Sequence, residues 1–360
     1  MEPNALPPSP PAMPLASVIG GQPCWLHPGG TSHAVVMCGA HGHEGLVGYH
    51  AWHLLARTLA SHGLTAIRFD YPGEGDAADL AAGEDAIDAA LVAVRRVYDA
   101  VLALPGIETV SVVGLRLGAT LAASALQDCP VQRQALLQPV DSGKRYIREI
   151  RAQARLLGKD QPAKADAGAV MLCGFRLSPN DLDRLGAWPA APIPAGQATL
   201  VAASGDREIT LPDAAMRIDF PGYAAMMAPA EMTPPTETFV AVARWLASSA
   251  ARPLARLPAL PPAYLAGEDW REHRFRFGPD QRLAGVLCAP MPPSGPAPLV
   301  IMPNAGGNPH HGWARMAVDH ARALAGRGVA SLRMDLSGLG DAALTGDSPR
   351  RAIYSPRHRD

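Results

Sequence analysis

The chain has 360 residues, 48% of them hydrophobic and 18% charged, a length suited to one large domain plus part of another. A net charge of -1 gives no electrostatic reason to expect nucleic acid or an anionic membrane as partner. Five cysteines (Cys24, Cys38, Cys129, Cys173, Cys288) are odd in number and far apart with no CxxC pair, a pattern against a disulfide frame or a zinc site and in favour of a reducing compartment.

Positions 1–16 are Pro-rich and predict a disordered lead-in, with an acid at Glu2 and prolines where a signal peptide needs an apolar run. No stretch approaches the roughly 20 apolar residues of a membrane span, so a cytoplasmic protein is expected. Strand-like runs then alternate with helical ones. HAVVMCG is a short apolar run, YHAWHLLARTLASHG an amphipathic helix ended by Gly63, and TAIRFDYPGEGD a strand entering a Gly-rich loop. EDAIDAALVAVRRVYDAVLAL predicts a long helix, TVSVVG a strand, ATLAASAL a helix, RQALLQP and ATLVAAS strands, and TETFVAVARWLASS a closing helix. Short buried strands alternating with helices specify an α/β fold, a mostly parallel sheet covered on both faces, with TVSVVG central and VVMCG and TAIRFD beside it. RPLARLPALPPAY reads as a boundary, and HRFRFGPDQRLAGVLCAP as a hairpin. The domains expected are a lead over 1–16, a first domain over 17–251, a linker over 252–266, and an incomplete second domain over 267–360.

Sliding the chain against itself until Val35 lies over Val300 aligns Val35–Ala78 with Val300–Ala343 without a gap. RFDYPGEGDAA lies over RMDLSGLGDAA and ARTLASHG over ARALAGRG, with identities at Arg57/Arg322, Gly63/Gly328, Arg68/Arg333, Asp70/Asp335, Gly73/Gly338, Gly75/Gly340 and Asp76/Asp341. Composition alone does not reproduce a strand, a loop and a helix in one register. Two copies of one fold are expected, the second unfinished. Asp70, Gly73, Gly75 and Asp76, present in both, are read as keeping a tight loop fastened by carboxylate hydrogen bonds to backbone N–H groups.

The run VVGLRLGAT, Val112 to Thr120, has the framing of a nucleophile elbow: strand VSVVG, glycines at 114 and 118, helix ATLAASAL. Arg116 stands where the nucleophile belongs. On these features, with the loop VVMCGAHGHEG before them, the chain resembles the α/β-hydrolase superfamily. GLRLGATLA followed by QPVDSGKRYIREIRAQARL is similar to the exosortase-associated type 2 hydrolase-like proteins, which also carry arginine at the elbow.

The resemblance implies a triad of nucleophile, histidine base and orienting acid. Arg116 is protonated and is no nucleophile. The loop before the closing helix, PGYAAMMAPAEMTPPTETFVAVARWL, has no histidine, and none occurs between His62 and His273. Asp206, at the acid position, has nothing to orient. The resemblance therefore implies a degenerate first domain. Any ester or thioester hydrolysis would reside in the second, whose elbow would fall near position 381, past Asp360. A longer natural product is expected on that ground. The alternative is a non-catalytic binding or scaffold protein of a surface-polysaccharide, exosortase-type system. Cap segments such as Gly143–Gly158 would set the substrate.

Two roles stay open for Arg116. With Gly39, Ala40, His41 and Leu117 it would line an oxyanion-type pocket for a small anionic ligand. Otherwise it pairs internally, Asp70, Asp76 and Glu44 being the candidate carboxylates. His41, His43, His50 and His53 invite a metal reading, but the repeat puts Gly306, Asn308, Arg315 and Val318 in their places, so neither metal nor cofactor is expected. The six tryptophans and Met226–Met227 are assigned to packing. Contact between the two copies is the remaining partnership expected.

Overall fold

The computed structural model describes residues 12–157, 168–188, 196–205, 215–228, 233–293, 295, 298–305 and 307–342. The first unit contains β1 (Leu15–Ile19), β2 (Gln22–His27), β3 (His33–Cys38), α1 (Gly42–Ser61), β4 (Thr65–Phe69), α2 (Ala86–Leu102), β5 (Thr109–Leu115), α3 (Leu117–Ala125) and β6 (Gln134–Leu137). It continues with α4 (Gly143–Leu157), β7 (Val170–Leu172), β8 (Phe175–Leu177), α5 (Pro179–Gly186), β9 (Thr199–Ala203), β10 (Ala215–Asp219), α6 (Tyr223–Met226) and α7 (Thr236–Ala247).

One sheet of eight strands runs in the order β1-β2-β4-β3-β5-β6-β9-β10. β2 is antiparallel to β1 and β4, and every pairing from β4 onward is parallel. This is the helix-flanked, mostly parallel sheet of an α/β-hydrolase-like fold. β5 is central and β3 lies beside it, as expected. β4 lies beyond β3, one strand further out than the expectation had it.

The central strands read as unbroken apolar runs because helices cover both faces. Side chains alternate across the pleat: Val35 and Met37 of β3 pack with Leu55 and Leu59 of α1 and with Val242 and Leu246 of α7. Val36, from the same strand, packs with Val94 and Val97 of α2 and Leu121 of α3 on the other face. Each fully buried side chain of this size contributes about 1.5–3 kcal/mol. α2 starts where Asp85 accepts from the backbone N–H groups of Ile87 and Asp88, both at 2.9 Å.

The second unit contains β11 (Tyr264–Ala266), β12 (Trp270–Phe277), β13 (Leu283–Pro290), β14 (Leu299–Pro303), α8 (Met316–Ala325) and β15 (Ala330–Asp335). Its sheet runs β11-β12-β13-β15-β14, and β12 and β13 form the expected hairpin. In the large sheet Ala34 and Met37 of β3 face Thr65 and Arg68 of β4 in parallel. In the small sheet Leu299 and Met302 of β14 face Ala330 and Arg333 of β15, the same register at the equivalent positions of the repeat. β3 is wholly buried, whereas β14 is an edge strand with Leu299 53% and Ile301 59% exposed.

Two boundaries move. β1 starts at Leu15, inside the lead assigned to 1–16, because antiparallel pairing with β2 orders it; residues 1–11 lie outside the described residues. The linker expected over 252–266 is not free chain: Thr31 bridges Pro253, Leu254 N–H donates to Gly30 O at 2.8 Å, and β11 pairs with β12. All five cysteines are free thiols, Cys173 alone not fully buried. Among the described residues no helix is long and apolar enough to cross a membrane.

Candidate functional site

The strand, turn and helix around Arg116 have elbow geometry. β5 ends at Leu115, Arg116 takes φ 54° and ψ -124°, and α3 begins at Leu117. A non-glycine residue there is strained by about 1–3 kcal/mol and persists only where its surroundings over-determine it. Two approaches do so. A Cβ at Gly118 would run into Gly39 O, and one at Gly114 into Ala119 Cα. Backbone this close leaves no room for any side chain, so the glycines fix the turn.

The side chain at this turn is 6% exposed and doubly paired. Arg116 Nε donates to Glu44 Oε1 and its Nη2 to Glu149 Oε2, both at 2.8 Å. Tyr146 closes the arrangement, its ring 5.6 Å from the guanidinium and its hydroxyl donating to Glu44 Oε2 at 3.2 Å. Burial by itself would lower the arginine pKa; the Glu44 carboxylate, with Tyr223 and the Glu149 hydrogen bond, outweighs it and holds the group above its ordinary value. Arg116 is therefore a fixed cation neutralised from within. Of the three candidate carboxylates Glu44 is the partner; Asp70 and Asp76 are engaged elsewhere. Glu149, on α4, had no signal in the sequence beyond being an acid on the helix that follows the elbow region.

The residues grouped around one anion pocket line different spaces. Arg116 lines an open cleft with Gln138, Ser204 and Tyr223; Gly39 and Ala40 line a second space, His41 and Leu117 a third. His43 shares the cleft with Arg116, but the guanidinium bonds run to the two glutamates. Asp206 lies outside the described residues.

In the loop read from the repeat, Asp70 supplies the fastening carboxylate, whereas Asp76 contributes its backbone N–H and turns its carboxylate to Arg274, His310 and Arg333. Asp76 N–H donates to Asp70 Oδ2 at 3.0 Å, and at the equivalent place in the second unit Asp341 N–H donates to Asp335 Oδ2 at 2.9 Å. A Cβ at Gly75 would meet the Asp70 carboxylate, and one at Gly340 the Asp335 carboxylate. Gly73 has φ +77°. The same carboxylates also carry the contact between the units. Arg68 donates to Asp341 at 2.5 Å, and Arg333, its counterpart, donates to Asp76 at 3.1 Å. Arg274 reaches Asp76 at 2.6 Å and Asp70 at 3.0 Å.

His310 stands between the units, Nε2 2.7 Å from Asp76 and Nδ1 2.7 Å from Asp335. Burial would lower its pKa, but the two carboxylates override it and raise it well above the usual histidine value. His310, Asp335 and Asp341 are a group with metal-ligand spacing. Both ring nitrogens already hold carboxylates and arginines neutralise the rest, so an ion-pair network accounts for it. The histidines of the metal reading are spread out: His41 bonds Glu74 at 3.0 Å, His43 faces Trp313 and Phe175, and His53 Nδ1 lies 3.0 Å from Gly340 O.

No family model matches the chain, and no curated protein matches its sequence. Among solved structures, Est1E from Butyrivibrio proteoclasticus is similar over 65% of this chain and 98% of its own, at 14% identity and a TM-score of 0.43. Proline iminopeptidase from Mycobacterium smegmatis is similar over 65% of this chain and 97% of its own, at 17% identity and a TM-score of 0.40. A lidless α/β serine hydrolase from Xanthomonas campestris is similar over 68% and 94%, at 17% identity and a TM-score of 0.36.

Proposed function

We propose that residues 12–251 are a hydrolase-fold unit without hydrolytic chemistry, and that it serves as the platform on which a second copy of the fold is held. The observation that carries this reading is the elbow: the position that must present a nucleophile presents a cation locked between Glu44 and Glu149 at 2.8 Å. Acyl transfer needs an attacking atom and a base to take its proton. A guanidinium supplies neither, because it is always protonated. The repeated strand register and the reciprocal pairs Arg68–Asp341 and Arg333–Asp76 support reading the second sheet as a second copy docked on the first. Ester or thioester hydrolysis through the second copy would need an elbow of its own, and its described residues, which run to Ala342, hold none.

The test is a fluorophosphonate probe on the full chain, with the modified peptide mapped. No peptide from residues 12–251 should be labelled, and Arg116→Ser should release no p-nitrophenol from p-nitrophenyl acetate above the unmutated chain. Labelling within that span, or turnover by the mutant, would overturn the reading.

A further inference from the structure

The five-stranded sheet of the second unit has one covered face and one bare face. Side chains alternate across the pleat, and burial alternates with them: in β15 Ser331, Arg333 and Asp335 are buried, while Ala330, Leu332 and Met334 are only half-buried. The covered face carries Cys288 and Met302 against α8, and the buried Arg274 and Arg333 that reach Asp76 of the first unit. On the other face one row, Tyr264, His273, Leu287, Leu332 and Ile301, crosses all the strands in register. Phe275 and Phe277 continue from His273 as a ladder of rings, with successive centroids 5.4 Å apart. Each of these side chains stays half-buried or exposed, Ile301 the most. A contiguous apolar surface of this kind marks an interaction site.

The first unit shows what covers such a face. Ile301, Leu332 and Met334 stand where the repeat has Val36, Ile67 and Phe69. Those three are buried in one cluster with Ile87, Val94 and Val97 of α2. The side that α2 buries, Ile87, Ala90, Val94, Val97 and Val101, is an apolar stripe at helical spacing. The dimensions agree as well. β12 and β13 have 8 residues each, a run of about 27 Å, and the 17 residues of α2 extend about 25 Å.

We propose that the bare face docks an amphipathic α-helix of a partner protein, one that carries small and β-branched apolar residues along one side as α2 does. Arg271, exposed on the same face with its guanidinium 5.1 Å from the Tyr264 ring, suits an acidic residue at the flank of that helix. The kind of partner rests on the second sheet being a second copy of the fold. Elbow chemistry plays no part in it, so probe labelling at Arg116 would overturn the proposed lack of hydrolysis and leave this surface standing.

The test is fluorescence anisotropy of the full chain with a fluorescein-labelled peptide of the α2 sequence, Glu84–Leu104. The peptide should bind saturably, and Val94→Asp with Val97→Asp in the peptide should abolish binding. Ile301→Asp in the chain, at an exposed position of an edge strand, should weaken binding at least about tenfold, the worth of burying one such side chain. Val92→Asp in the chain, at an apolar position 49% exposed on α2, should leave it unchanged. No saturable binding, binding untouched by Ile301→Asp, or binding lost equally with Val92→Asp would overturn the proposal. A full chain that dimerises by itself in sedimentation velocity and turns monomeric with Ile301→Asp would also overturn it, making a second copy the occupant. Co-sedimentation with phosphatidylcholine vesicles that Ile301→Asp abolishes would do the same in favour of lipid.

Discussion

At the scale of single residues, Arg116 is held by what surrounds it. Its strained backbone is imposed by two glycines, and its charge is balanced by Glu44 and Glu149. Removing the cation leaves a buried Glu44 carboxylate without its main partner. Breaking such a pair costs about 3–5 kcal/mol when both members are buried. Glu149 keeps a side chain 35% exposed, so the loss belongs at the lower end. Arg116→Ala should therefore destabilise the chain by about 3 kcal/mol, read by urea denaturation; a change under about 0.5 kcal/mol, the range of ordinary surface substitutions, would show that the pairs carry no weight. Arg116 and its glycines were legible in the sequence because an elbow is a local backbone constraint written in consecutive residues. Glu149 and the His41–Glu74 pair were not. Their partners are 33 residues apart along the chain in both cases, and only the fold brings them together.

At the scale of elements, the crowding at Gly118 ties the start of α3 to the end of β3. A methyl group there has to displace Gly39 O and Cys38 O, both backbone atoms in the centre of the sheet. Gly118→Ala should cost about 3 kcal/mol, the upper range for overpacking a tight interior. Thermal unfolding measures it, and an unchanged midpoint would mean that α3 can shift away. The apolar runs of β3, β4, β5 and β9 announced the parallel sheet, because strands buried on both faces have few polar residues to confuse the pattern. β1 and β2 went unread: LASVI and QPCWLH include Ser17, Gln22, Pro23 and His27, and become strands through pairing with each other and with β4. The Pro-rich segment near 252 reads as a boundary by composition, yet its backbone bonds to Gly30 and Ser32.

At the scale of the whole molecule, the contact between the units is a buried charge network, and its response to pH follows from His310. Its pKa is raised on folding by Asp76 and Asp335, against the pull of burial. A raised pKa contributes stability in full below the unfolded value of about 6.5, and loses it as pH climbs through the folded value. The charges facing it are Asp76 from the first unit, with Asp335, Asp341, Arg274 and Arg333 from the second. The gap in melting temperature between the unmutated chain and His310→Gln should therefore narrow as pH rises above about 6.5. A gap that widens on the alkaline side would show that His310 is neutral in the folded protein.

The two arginine–aspartate pairs have a further consequence. Arg68 of the first unit meets Asp341, the counterpart of Asp76, while Arg333, the counterpart of Arg68, meets Asp76 itself. Such reciprocity is the signature of an isologous interface, in which one surface patch is complementary to its own image across a two-fold axis. On the proposed reading of the second sheet as a second copy of the fold, the chain would be a homodimer written end to end, with Arg274 and His310 added on one side only. A patch of that kind still recognises itself once the tandem partner is gone. Residues 12–251 produced alone should dimerise through Arg68 and Asp76 in sedimentation velocity, and Asp76→Arg should return them to monomers. A monomer at every concentration would leave the symmetry as an inheritance without surviving affinity.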